Sequence, residues 1–204
     1  MSCLLLPVFA GIIIAPIGGM IFGIALAGAI IVFLAKRKPA IVNRTFGRLQ
    51  IISSAWFALT HGANDGQKTM GIIVLILFSA DLISEIHMPL WVIFAAASAM
   101  GLGTFFGGYK VIKTLGVRVT RLRPYQGFAA ETGGGLMLAV FAILGIPAST
   151  THAITGTIMG AGAARRKHAV RWKVSMQIIF SWVITIPGAA GLGIGFTYII
   201  HLFV

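Results

Sequence analysis

The sequence predicts an all-α, polytopic membrane protein with about four to five transmembrane helices, one of them broken, and a re-entrant helical hairpin. Hydrophobic residues make up 58% of the 204 positions and charged residues only 10%. Apolar runs near the bilayer-spanning length of about 20 residues recur along the whole chain. Between these runs lie three basic clusters, 36–48, 110–123 and 165–173.

The net charge of +12 does not indicate a nucleic-acid partner, because the basic residues are concentrated at the ends of apolar runs. Charge placed in this way sets the orientation of a protein in a lipid bilayer. The positive-inside rule predicts that the three basic clusters are cytoplasmic. The single cysteine, Cys3, permits no internal disulfide.

The first apolar run, residues 4–34, predicts one helix over about Ile14–Leu34. Pro7 and Pro16 predict an irregular first part. The run lacks a basic start and is too long for a signal peptide, so we expect a retained span.

Residues 49–83 predict a broken transmembrane helix. Leu49–Leu59 and Met70–Leu82 form its two helical arms, and the polar stretch 62–68 lies between them. Irregular backbone at membrane depth is tolerated only where it is buried in protein or lines a water-filled cavity. Acidic residues without a basic cluster follow at 81–87, so this end is predicted to be external.

Residues 126–164 predict a re-entrant hairpin between two ordinary spans, Pro89–Gly108 and Val174–Leu202. Basic residues flank both ends of the hairpin, which puts both ends on the same side of the membrane. Its second arm, Ala153–Ala163, is roughly 17 Å long at 1.5 Å per residue, too short to cross a core of about 30 Å. In the last span, Pro187 predicts a kink.

Two polar stretches interrupt this apolar chain. Asp65 is a carboxylate in an apolar setting, where its cost requires a partner or a wet cavity. With Asn64 it offers oxygen ligands for Na⁺, or a carboxylate for proton coupling; a structural pairing of Asp65 with Lys68 is the alternative. Ser149, Thr150 and Thr151 precede a helix, where one can cap it while the others face an anion.

These stretches resemble the inorganic phosphate transporter (PiT) family. The residues that carry the resemblance are His61-Gly62-Ala63-Asn64-Asp65 with Gln67-Lys68-Thr69-Met70-Gly71, and Pro147-Ala148-Ser149-Thr150-Thr151-His152 about 80 residues later. By position, the resemblance implies substrate or cation contact at Asn64, Asp65, Ser149, Thr150 and Thr151. It implies supporting roles for His61, Gln67, Lys68, Thr69 and His152.

The resemblance implies symport of inorganic phosphate with H⁺ or Na⁺ across a prokaryotic inner membrane, without an enzymatic reaction, cofactor or bound metal beyond a possible Na⁺ at Asn64 and Asp65. The family carries each motif twice, in two inverted halves, and residues 1–204 carry each once. We therefore expect the C-terminal repeat of a phosphate permease, paired with a second half or another copy. Transport of a related oxyanion such as sulfate, and a non-transporting half-subunit, stay open as alternatives. A hydrolase using Ser149 with His152 lacks any supporting motif.

Overall fold

The computed structural model describes residues 2–146 and 148–202, and every regular element within them is helical. The α-helices of these residues are α1 (Ser2–Phe33), α2 (Pro39–Ser79), α3 (Leu90–Lys113), α4 (Pro124–Ile143), α5 (Thr150–Ala163) and α6 (Trp172–His201). A π-helical turn (Thr114–Val119) continues α3, and a 3-10 turn (Lys167–Ala169) precedes α6. In this described part of the chain, four segments are long and apolar enough to cross a membrane: Ala10–Phe33, Leu90–Val119, Pro124–Ile143 and Trp172–His201. The prediction of an all-α, multi-pass membrane protein is confirmed.

Helix α1 is longer than predicted, because it runs without interruption through Pro7 and Pro16. A proline has no N–H, so the carbonyl of Ile12, four residues before Pro16, loses its usual helical donor. The imidazole of His152, from α5, lies against the backbone of Ile12, where it can replace the missing donor.

Helix α2 differs from the prediction, because it continues unbroken for 41 residues through the polar stretch 62–68. Its polar side chains find partners one turn away, at the spacing that a helix provides. Asn64 Nδ2 donates to the carbonyl of Thr60 at 2.9 Å, and Thr69 Oγ1 donates to that of Asp65 at 3.1 Å. With no proline in the stretch, these bonds favour a continuous helix. At 1.5 Å per residue α2 is about 61 Å long, roughly twice the thickness of a hydrocarbon core.

The predicted hairpin is formed by α4 and α5, with a short tip between them. Gly145 takes a left-handed conformation (φ 64°), and the N–H of Ile146 bonds the carbonyl of Phe141 at 2.9 Å. This Schellman arrangement ends α4 and turns the chain back. The 14 residues of α5 span about 21 Å, less than a bilayer core. The re-entrant placement of the hairpin in a membrane stays a prediction.

Helix α5 packs mainly against α1, and glycines of each helix lie directly against the backbone of the other. A Cβ atom on Gly23 would collide with the carbonyl of Thr157, and one on Gly156 would collide with the carbonyl of Pro16. Such close backbone approach is typical of helix packing in membranes. Across the hairpin, α4 packs against α2.

Helix α6 lies at the edge of the bundle, since no residue of its most apolar stretch is buried. It continues through Pro187 as one helix. Its packing onto the bundle includes the ring of Trp182, which lies against His152 with centroids 3.8 Å apart.

Candidate functional site

Asp65 lies at the middle of α2 and receives polar contacts from two elements. Thr150 is the first residue of α5, and its Oγ1 donates to Asp65 Oδ2 at 2.8 Å. His61 Nε2 lies 3.2 Å from the same oxygen, one turn earlier in α2. Lys68 Nζ lies 3.4 Å from Asp65 Oδ1, one turn later. The carboxylate therefore has three donors, and the predicted pairing with Lys68 is only one of them.

The hairpin tip is fixed against α2 by its own backbone. Lys68 Nζ donates to the carbonyl of Ala148 at 2.6 Å. Ser149 is the N-cap of α5, where its Oγ accepts the N–H of His152 at 3.4 Å. Sequence reasoning predicted a cap among the three hydroxyl residues, and the structure identifies it as Ser149.

Thr150 and Thr151 line a cavity of about 790 Å³ together with His61. Its walls come from α2, α3, the π-helical turn, α4 and α5, and most of its lining is apolar. Thr150 is buried, whereas Thr151 is exposed. The cavity therefore reaches the Asp65–Thr150 contact from the α3 side.

Glu131 of α4 lies on the wall of the same cavity. Ser53 Oγ donates to Glu131 Oε2 at 2.5 Å, and Gln50 Nε2 donates to Oε1 at 3.3 Å. Glu131 is not among the site residues that the sequence predicted. The predicted helical arm Leu49–Leu59 already places Gln50 and Ser53 on one face, three positions apart.

Three predicted site residues are placed away from the Asp65 carboxylate. The amide of Asn64 is buried between α2 and α4, where Nδ2 lies 2.9 Å from the carbonyl of Thr60 and 3.4 Å from that of Leu138. Adjacent residues of a helix point in different directions, and this separates Asn64 from Asp65. Gln67 is exposed, and Thr69 is exposed with its hydroxyl on the α2 backbone.

His152 lies behind the hairpin tip, on the side away from α2. It is 9% exposed, and its Nδ1 is buried without a hydrogen-bond partner among the described residues. His152 lies where α1, α5 and α6 meet, and its supporting role stays a prediction.

The arrangement suits an anion next to a cation. The first N–H groups of a helix lack partners inside it, and they carry about half a positive charge. At α5 these groups are accompanied by the hydroxyls of Thr150 and Thr151. Asp65 offers carboxylate oxygens beside them, so an anion at the tip and a cation at Asp65 would each favour binding of the other. Among the described residues, no group of three or more His, Cys, Asp and Glu side chains could hold a metal ion.

A multi-pass helical bundle with such a polar site at a hairpin tip has the architecture of a membrane transport protein. The comparison with known sequences agrees with this class. The sequence model of the Phosphate transporter family matches residues 34–193, and the chain belongs to this family. The resemblance stated from the motifs is thereby confirmed.

Two bacterial relatives illustrate the similarity. A "Probable low-affinity inorganic phosphate transporter" of Rhizobium meliloti (strain 1021) is 45% identical over 187 residues. A protein described in the same words from Bacillus subtilis (strain 168) is 38% identical over 187 residues. Each alignment covers 91% of this chain and 56% of the relative, so this chain spans little more than half of their length. These relatives are described as transporters, not as enzymes.

A solved structure described as "The sodium-dependent phosphate transporter" has the same fold. The superposition has a TM-score of 0.63 at 23% sequence identity, and covers 91% of this chain and 57% of that one.

Proposed function

We propose that this chain binds inorganic phosphate at the N-terminus of α5 and serves as one half of a transporter that moves phosphate with H⁺ or Na⁺. The observation that supports this most directly is the 2.8 Å contact between Thr150 and Asp65. It joins the two motifs of the chain at a helix N-terminus, which is a ready site for an oxyanion. The bilayer-spanning segments supply the membrane setting.

Seven of the ten predicted site residues then have a definite task. Thr151 donates its hydroxyl hydrogen bond to phosphate, and Thr150 does so when its single hydroxyl hydrogen turns from Asp65 to the anion. Ser149 holds the helix N-terminus in shape by capping it. Asp65 carries the charge that the coupling cation balances. His61 and Lys68 orient Asp65 from one turn on either side. Asn64 supports the site from the α2–α4 interface, and a direct contact with Na⁺ would require its amide to turn.

Transport requires a second half, which we propose to be another repeat or another copy of this chain. Residues 1–204 would then be a single repeat, the C-terminal one, and phosphate would bind between the two halves. Access alternates as one bundle moves against the other. The exposed apolar surface of α6 is available for that contact. The basic loops 36–48, 110–123 and 165–173 would face the cytoplasm of a prokaryotic cell.

The test is counterflow of radiolabelled phosphate into proteoliposomes, with and without a Na⁺ gradient. We expect saturable exchange that Asp65→Asn abolishes, either with this chain alone or after co-reconstitution with a second family repeat. Unlabelled sulfate is included as a competitor, and equal inhibition by sulfate and phosphate would shift the substrate to oxyanions in general. Folded protein that exchanges no phosphate in either arrangement would contradict the proposal, in favour of a non-transporting half-subunit.

A further inference from the structure

Lys68 is the only one of the sixteen Lys and Arg residues that lies outside the three basic clusters. It stands in the second half of α2, three residues after Asp65. An ammonium group at membrane depth is costly unless it is paired or reaches water. Its position therefore needs an explanation that the basic loops do not share.

The Lys68 ammonium bridges the two elements of the site. Nζ lies 2.6 Å from the carbonyl oxygen of Ala148 at the hairpin tip and 3.4 Å from Asp65 Oδ1 in α2. A carbonyl oxygen and a carboxylate oxygen are the kind of ligands that a hard cation selects. Lys68 thus makes, with one positive charge, the contacts that a bound alkali cation would make between the same two groups.

The same position has an electrostatic effect on the anion. The carboxylate of Asp65 would repel a phosphate held by Thr150, which touches it directly. One positive charge beside Asp65 removes most of that repulsion at short range. The side chain of Lys68 is 42% exposed, so the ammonium can stay in place without full desolvation.

We infer that the Lys68 ammonium is a tethered substitute for a monovalent coupling cation, so that phosphate binding at this site does not require Na⁺. This inference rests on the proposed phosphate site and narrows its cation. Lys68 is then the residue that determines cation specificity. Removing its charge should create a vacancy that Na⁺ can fill between Asp65 and Ala148.

The first measurement is thermal unfolding of the purified chain in detergent, in Na⁺, K⁺ and choline salts of equal ionic strength. Wild type should melt at the same temperature in all three salts. Lys68→Ala should melt lower in choline and recover in Na⁺ by roughly 2–4 °C, as expected for a bound ion. Lys113→Ala, at the exposed end of α3, is the matched control and should behave as wild type.

Two further variants make the result specific. Lys68→Gln keeps a long polar side chain without charge and should show the same gain of Na⁺ dependence. The double variant Asp65→Asn, Lys68→Ala should lose that gain, because the carboxylate ligand is absent. These melting curves need no phosphate, so they remain informative even if the phosphate assignment fails.

The second measurement is equilibrium binding of radiolabelled phosphate to the same proteins, joined with a second repeat where binding requires it. Wild-type affinity should not change when choline replaces Na⁺. Lys68→Ala should lose roughly tenfold in choline and regain it in Na⁺. Na⁺-specific stabilisation of wild type, or no response to Na⁺ in either Lys68 variant, would overturn the inference. Na⁺-dependent melting of Lys68→Ala without any phosphate binding would instead contradict the proposed function alone.

Discussion

Asp65 and Thr150 lie 85 positions apart in the sequence, and a 2.8 Å hydrogen bond joins Thr150 Oγ1 to Asp65 Oδ2. This bond connects the middle of α2 to the first residue of α5. It is charge-assisted, and such bonds are stronger than those between neutral groups. The bond therefore links the residue proposed to bind the anion, Thr150, to the residue proposed to bind the cation, Asp65. A substitution at either residue should change the energetics of the other.

A double-mutant cycle on Asp65→Asn and Thr150→Val tests this coupling. We expect each single variant to lower the unfolding free energy, and the double variant to lose less than their sum by about 1–3 kcal/mol. Unfolding would be followed in detergent by intrinsic fluorescence. Thr151→Val is the matched control, because this neighbouring threonine has no described bond to Asp65 and should combine additively with Asp65→Asn. Additive losses for Thr150 as well would contradict the geometry.

The close glycine packing between α1 and α5 predicts that alanine substitutions at two glycines of α1 have different effects on the melting temperature. Gly23→Ala places a Cβ against the Thr157 carbonyl, whereas Gly28→Ala meets nothing within 4 Å. Overpacking of this kind costs about 1–3 kcal/mol, and each kcal/mol lowers the melting temperature of a chain of this size by roughly 2–4 °C. We expect that loss for Gly23→Ala in thermal melts and none for Gly28→Ala. Equal melting of the two variants would show that α1 and α5 do not touch in this way.

Asn64 provides a test that separates packing from ion binding. In Asn64→Asp the Nδ2 donor is lost, and a carboxylate oxygen faces the carbonyls of Thr60 and Leu138. An unsatisfied buried group costs about 1–3 kcal/mol, and more when it is charged. We expect a lower melting temperature in every salt. If Asn64 were instead a Na⁺ ligand, the added carboxylate would strengthen Na⁺ binding, and stability would rise with Na⁺ concentration.

The two packed helices of the predicted hairpin are present in the structure, and the signals for their ends are local. Gly145 follows the end of α4 in a left-handed conformation, and Ser149 is the N-cap of α5. The approach of this tip to Asp65 depends on how the hairpin packs against α2, and the contact with Thr150 shows it.

The continuity of α2 could not be predicted in the same way. A run of glycines and polar residues at membrane depth indicates a break when each side chain is considered alone. The structure pairs Asn64 with Thr60 and Thr69 with Asp65 along the helix, so the polar groups are satisfied without unwinding. The direction of Asn64 depends on where α4 lies, and that is tertiary information. The prediction of an irregular helix at Pro16 was wrong for a related reason, since the group that lies against the Ile12 backbone is His152, 136 positions after Pro16.

His152 and Pro16 give the last prediction. Pro16 removes the donor of the Ile12 carbonyl, and the His152 imidazole lies against that backbone, where it can donate in place of the missing N–H. His152→Phe keeps a ring against Trp182 but has no N–H, so it should lower the unfolding free energy by about 1–3 kcal/mol. In a Pro16→Ala background, the introduced alanine returns a backbone N–H to the Ile12 carbonyl, and His152→Phe should then cost clearly less.

The measurement for this pair is a thermal melt of both single variants and the double variant. Pro187→Ala in α6 is the control, because Pro187 lies in another helix and should combine additively with His152→Phe. A full loss for His152→Phe in the Pro16→Ala background would mean that its ring packing, rather than its bond to Ile12, stabilises the tip. Because Ser149 caps α5 through the His152 N–H, a confirmed coupling would also mean that a proline in α1 helps to position the proposed phosphate site.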